Sequence, residues 1–210
     1  MSIKNIVNKI KQELKVVQGD ASKDKVYSNE NKFSDEATAT REFERSKQKL
    51  FDVNKWTDLE GINSTFELHD SKGQKLTGQK PQVGSFIKIV LPATGIDNWV
   101  KVTDIKEEEN SAEFTVHPSE QPEPLTTDNP EEIKHFFKEG ASSTFKVERQ
   151  GNTLIGYEIG RNESINNQGE EAGDRAVLNT VVAEGGWAGV QELQWDKLTS
   201  YLVHLQEATA

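Results

Sequence analysis

Cysteine is absent from the 210 residues. Disulfides, thiolate nucleophiles, Cys-ligated zinc and iron–sulfur clusters are excluded together. Histidine occurs four times, as His69, His117, His135 and His204. No two of them stand in an H-x-x-x-H or H-E-x-x-H pair, so zinc hydrolysis has no signature and no metal site is expected. A G-x-S-x-G elbow, a P-loop and a G-x-G-x-x-G fingerprint are also missing, and no cofactor is expected. No stretch approaches the roughly eighteen apolar residues of a membrane span. The opening MSIKNIVNKIKQELKVVQ breaks its apolar positions with Lys and Asn, unlike an export signal. The expected compartment is the cytoplasm.

Positive charge is scarce outside the first quarter of the chain. Residues 1–49 hold eleven Lys/Arg against eight Asp/Glu, whereas the rest holds fourteen against twenty-seven, within a total of −10. A nucleic-acid binder needs a dense cationic face to displace counterions, and this body would repel phosphates. Hydrophobic residues are 33% and charged residues 29%, which predicts small cores with much polar loop. Four Trp and nine Phe are nevertheless too many anchors for a disordered chain.

What is present is periodic. Ile3, Ile6, Val7, Ile10, Leu14 and Val17 recur at helical spacing between lysines, predicting an amphipathic N-terminal helix. Residues 19–34 (GDASKDKVYSNENKFS) have no period and read as a linker. Ser34 or Asp35 can cap a second helix that runs to about Phe51. From Ser64 the period changes to two. Strands are expected at 65–69, 85–91, 99–106, 112–117, 143–150 and 153–159, with turns at 70–73 and 151–152. Residues 91–95 read LPATG, like a sortase signal. Their place between two strand patterns, beside Asp97 and Asn98, marks a loop instead. Four of the six prolines fall in 118–130, which predicts a boundary or a long surface connection. A short helix over 130–139 and a closing helix over about 190–206 complete the pattern. The segment GINSTFEL (61–68) echoes GASSTFKV (140–147), which raises a duplication.

Two stretches could carry chemistry. Residues 160–175, GRNESINNQGEEAGDR, gather Arg161, Asn162, Glu163, Asp174 and Arg175 around one large apolar residue. The two arginines could hold an anion bidentately, with Glu163 and Asp174 orienting them or moving protons. The bland alternative is a solvated loop with surface ion pairs. Trp187 stands between Gly185, Gly186 and Gly189, where it could face a ligand or, with Trp195, pack the closing helix on the sheet. The N-terminal stripe from Ile3 to Val17 suits a protein partner or self-association.

The stretches EIGRNESINNQGEEAGDRAVLNTVVAEGGWAGVQELQWDKLTSYLVH and KLFDVNKWTDLEGINSTFELHD resemble an uncharacterised bacterial protein family over nearly residues 35–205. The resemblance implies a bacterial, free-standing protein and transfers no activity and no site residue. The fold expected is α+β. A helical arm and linker (1–51) precede a small SH3- or OB-like barrel meander (52–125) and a hairpin-and-helix module (126–210). The function expected is that of a non-catalytic interaction or assembly component. The alternative is a small-ligand binder or enzyme using the 160–175 loop.

Overall fold

The computed structural model describes residues 23–62, 64–90, 97–122, 140–163 and 187–209. Seven strands form one antiparallel sheet: β1 (Lys23–Lys32), β2 (Thr65–His69), β3 (Phe86–Val90), β4 (Asp97–Glu107), β5 (Ser111–Ser119), β6 (Ser142–Gln150) and β7 (Thr153–Glu163). Their order is β1-β7-β6-β5-β4-β3-β2. Strands β2 to β7 are a meander, and β1 returns the start of the chain to its last strand. Helix α1 (Glu36–Phe51), a 3-10 helix (Val53–Asp58) and helix α2 (Trp187–Leu202) cover the inner face of the sheet, and the core lies between.

The meander was legible because its inward residues alternate. On β5, Ala112, Phe114 and Val116 are buried and their neighbours are half-buried, the pattern of a sheet packed on one side. The barrel expected over 52–125 is not closed. Its strands run on through β6 and β7 to β1, because β5 pairs with β6 from Ser111↔Glu148 to Val116↔Ser143. This pairing joins residues on either side of the boundary expected near 125. A single hydrophobic cluster likewise draws on residues from Phe43 to Val203. β3 and β4 are antiparallel neighbours ending at Val90↔Asp97, and LPATG lies outside the described residues.

The linker expected over 19–34 is corrected for most of its length. Lys23–Lys32 is a ten-residue strand with Tyr27, Asn29 and Asn31 opposite the inward Glu158, Gly156 and Leu154 of β7. Its inward row is polar apart from Tyr27, so it has no apolar period. The asparagines bind helix α2 instead. The Nδ2 of Asn29 donates to the Asp196 carbonyl, the Asp196 carboxylate and Thr199 Oγ1 at 2.9–3.2 Å, and Asn31 Nδ2 donates to the Val203 carbonyl at 2.8 Å.

Helix α1 starts where the sequence placed it. Asp35 accepts from the Thr38 N–H at 2.7 Å. Hydrogen bonds from Ser34 and from Thr38 hold its carboxyl below the usual range. At the other end, Trp56 Nε1 donates to the Lys49 carbonyl at 3.0 Å, satisfying one of the last helix carbonyls. The 3-10 helix also covers the outer edge of β2. Asn54 Oδ1 accepts from the Leu68 N–H, and Thr57 Oγ1 accepts from the Phe66 N–H, both at 2.9 Å. An edge strand is thereby closed to further pairing.

The GxxSTF echo has a local counterpart. Gly61 and Gly140 both take positive φ (89° and 98°) before a strand. Phe66 and Phe145, at equivalent places, both pack on Trp56 (5.7 and 4.9 Å) and on Trp195 (6.5 and 5.5 Å). The turn at 70–73 forms around Asp70, whose carboxylate accepts from the Lys72 and Gln74 N–H groups. It leads to one isolated bridge, His69↔Lys75, and β3 begins only at Phe86, well beyond the reach of a tight hairpin.

Candidate functional site

Of the loop residues predicted to bind a ligand, the structure describes the side chains of two. Arg161 lies near the end of β7 and pairs with Asp24 of β1 at 2.8 Å. Asn162 adopts a positive φ of 52°, and its N–H donates to the other Asp24 oxygen at 3.0 Å. The Asn162 N–H, and then the guanidinium, hold the Asp24 carboxyl below its usual range. Arg161 thus already has a carboxylate partner, in an exposed pair that solvent screens. Asp24 was not anticipated, because it sits in the segment read as a linker. Glu163 is the last residue of β7 and Trp187 the first of α2. Asp174 and Arg175 lie outside the described residues, as do Ile3, Ile6, Val7, Ile10, Leu14 and Val17 and the expected helix over 130–139.

The described histidines serve the fold. His69 Nδ1 can only donate to the Gly73 carbonyl, at 3.0 Å, and its ring meets Trp99 edge to face at 4.9 Å. His117 Nδ1 bonds Thr103 Oγ1 at 2.9 Å. His204 resembles part of a hydrolase triad, with Nε2 3.1 Å from Ser46 Oγ and Nδ1 4.0 Å from Glu207. The resemblance fails on two counts. Nε2 must carry its proton to donate to the Glu42 carbonyl at 2.9 Å, so it cannot take one from Ser46. Ser46 is also fully buried. Burial, the largest influence, pushes the His204 imidazole below its ordinary value, which fits a neutral packing residue.

The interior between sheet and helices holds a more suggestive set. Trp56, Phe66, Phe114, Phe145 and Trp195 fill one half of it, with Trp56 stacked on Phe114 at 5.9 Å and tilted on Phe145 at 4.9 Å. Among these apolar walls stand buried polar groups. Ser64 Oγ donates to Gln194 Oε1 at 2.6 Å, tying the first half of α2 to the start of β2. Asn98 is buried on β4, and Glu158 is 0% exposed on β7, directly opposite Phe145. Trp195 is 9% exposed, and its Nε1 has no hydrogen-bond acceptor among the described residues.

Topology gathers these groups at one end. Helix α2 crosses the sheet obliquely, from Gln194 beside Ser64 to Thr199 over Gly156 and Val203 beside Asn31. Its first half therefore lies toward the end of the sheet where β7 leaves at Glu163. Of the 160–175 stretch, residues 160–163 belong to β7 and the rest lies outside the described residues. Sequence reasoning missed Ser64, Gln194 and Glu158 because each reads as an ordinary polar position. Only the period-two pattern of Leu154, Gly156 and Glu158 could have assigned Glu158 to the inner face.

No family model matches the chain, and no curated protein matches it. Solved structures do. A hypothetical protein from Helicobacter pylori, jhp0584, is 12% identical, with 90% of this chain and 92% of that chain covered and a TM-score of 0.50. This likeness extends to the fold alone. Norcoclaurine synthase from Thalictrum flavum, in complex with dopamine and hydroxybenzaldehyde, is 12% identical over 95% of this chain and 94% of its own, with a TM-score of 0.41. The major latex-like protein 151 of Panax ginseng is 12% identical over 81% and 95%, with a TM-score of 0.38.

Proposed function

We propose that the protein binds a small amphipathic molecule between the inner face of the sheet and α2, at Trp195. The observation that carries this reading is the Trp195 indole N–H. It is buried, belongs to a ring packed on Phe66 and Phe145, and lacks an acceptor among the described residues. A buried donor left unsatisfied costs about 1–3 kcal/mol, so the position favours a ligand that brings an acceptor atom. The surroundings suit such a ligand. Phe66 and Phe145 offer apolar contact, and Ser64, Gln194, Asn98 and Glu158 add a few fixed polar groups. Small-molecule sites typically have this composition, mainly apolar walls with a few placed polar groups.

The test is a screen of amphipathic aromatic compounds by thermal shift, followed by titration of any hit against tryptophan fluorescence. Saturable one-to-one binding is expected. Trp195→Phe keeps an aromatic ring at the position and removes the donor, and it should weaken binding by about tenfold, the equivalent of one hydrogen bond at about 1.4 kcal/mol. A screen with no saturable hit, or a Trp195→Phe variant that binds as tightly as the wild type, overturns the proposal.

A further inference from the structure

A cleft of about 420 Å³ opens between the C-terminal half of α1, the 3-10 helix, Tyr201 of α2 and the end of the chain. Arg45, Lys49, Asp52, Lys55, Tyr201 and Glu207 line it. Its distinctive member is Lys49, which is only 8% exposed. The Lys49 ammonium donates to the Tyr201 carbonyl at 3.0 Å and lies 4.4 Å from the centre of the Tyr201 ring. It also donates to a carboxylate oxygen of Glu207 at 3.0 Å, and Arg45 approaches the same oxygen at 3.9 Å.

The two ends of that ion pair differ in kind. A buried ammonium is costly unless an anion faces it. Glu207 is 61% exposed and sits on the terminal segment, which is fastened separately by two hydrogen bonds from Thr209 to the Asp58 carbonyl. An exposed carboxylate gains little from the contact. The anion position is therefore a requirement of Lys49, while its occupant is exchangeable. Two of the cations have other partners: Glu42 pairs with Arg45 and Asp58 with Lys55. Displacing Glu207 leaves the Lys49 ammonium with the Tyr201 carbonyl and no carboxylate at hydrogen-bond distance, which suits a monoanion.

We propose that this cleft is a site for a small monocarboxylate, and that Glu207 is a tethered stand-in for it. The site is separate from the interior between sheet and α2, so the proposal does not depend on the reading above. The probe is benzoate, titrated calorimetrically into the full chain at constant ionic strength, with chloride as the control. Glu207→Gln removes the tethered competitor and should bind benzoate on the order of tenfold more tightly than the wild type. Adding Arg45→Gln, an exposed change that leaves the core intact, should reverse part of that gain. Adding Lys49→Met should abolish binding while circular dichroism reports the fold. Trp195→Phe should leave benzoate binding unchanged. Equal benzoate affinity in the wild type and Glu207→Gln overturns the proposal. Equal displacement by chloride also overturns it, because the cleft then holds an adventitious ion only.

Discussion

His204 stands where α2 stops, at a positive φ of 63°, in a region that non-glycine residues enter rarely and at some cost. Its ring explains the choice of residue, because Nε2–H reaches back to the Glu42 carbonyl and holds the end of α2 against α1. The groups facing it are Ser46 and Glu42 from α1, Glu207 from its own segment, and the cations of Lys49 and Arg45. Burial, the largest cause, lowers its pKa from 6.5. The sign comes from linkage. Below pH 6.5 the unfolded chain protonates this histidine before the folded chain does. Stability is therefore lost as pH falls from 6.5 toward the depressed folded value. His204→Gln preserves a donor for Glu42 and removes the titration. Denaturant unfolding at pH 7.5 and pH 5 should show a smaller acid loss in the variant than in the wild type, and equal losses would refute the assignment. The sequence named this histidine without marking it as special, since its partners are supplied by another helix.

At the scale of elements, the contact of α2 with β7 and β1 depends on what is missing from one residue. A methyl group on Gly156 would lie 2.9 Å from the Thr199 carbonyl and 3.2–3.3 Å from the Val203 and Leu202 side chains. Backbone does not yield as a side-chain tip does, so Gly156→Ala should cost about 1–3 kcal/mol, as overpacking usually does. Asn29→Ala should cost about 1–2 kcal/mol by removing the amide that serves Asp196 and Thr199. Urea melts with an unchanged m-value would check both, and wild-type midpoints would show that α2 does not rest on this seam. Such a seam is hard to see in a sequence. A glycine in a strand pattern reads as a weak strand, and an asparagine-rich strand reads as a loop. The caps and alternating strands are different, because Asp35 with Thr38 and the Ala112, Phe114, Val116 row act within a few residues of themselves.

For the whole molecule, the position of β1 changes how the N-terminal segment must be tested. A chain starting at Phe33 would lose β1, its nine register partners on β7 and the clamps on α2, and should melt well below the full chain. A chain starting at Ser22 keeps all of these. The association role proposed for Ile3, Ile6, Val7, Ile10, Leu14 and Val17 then predicts a defined oligomer for the full chain by light scattering and a monomer for the Ser22 start. Equal masses per chain would end that role.

The sequence by itself determined the absence of cysteine chemistry, the acidic balance, the N-cap of α1, the period of six of the seven strands and the existence of the last helix. Each is composition or a pattern that repeats within a few residues. The tertiary structure alone decided that the strands make one open sheet, that the segment read as a linker becomes its edge, and that Lys49, Glu158 and Trp195 are buried. These outcomes depend on partners far away in the chain, such as Asn29 and Thr199, 170 residues apart. A residue's burial is set by its neighbours in space, which no local period records.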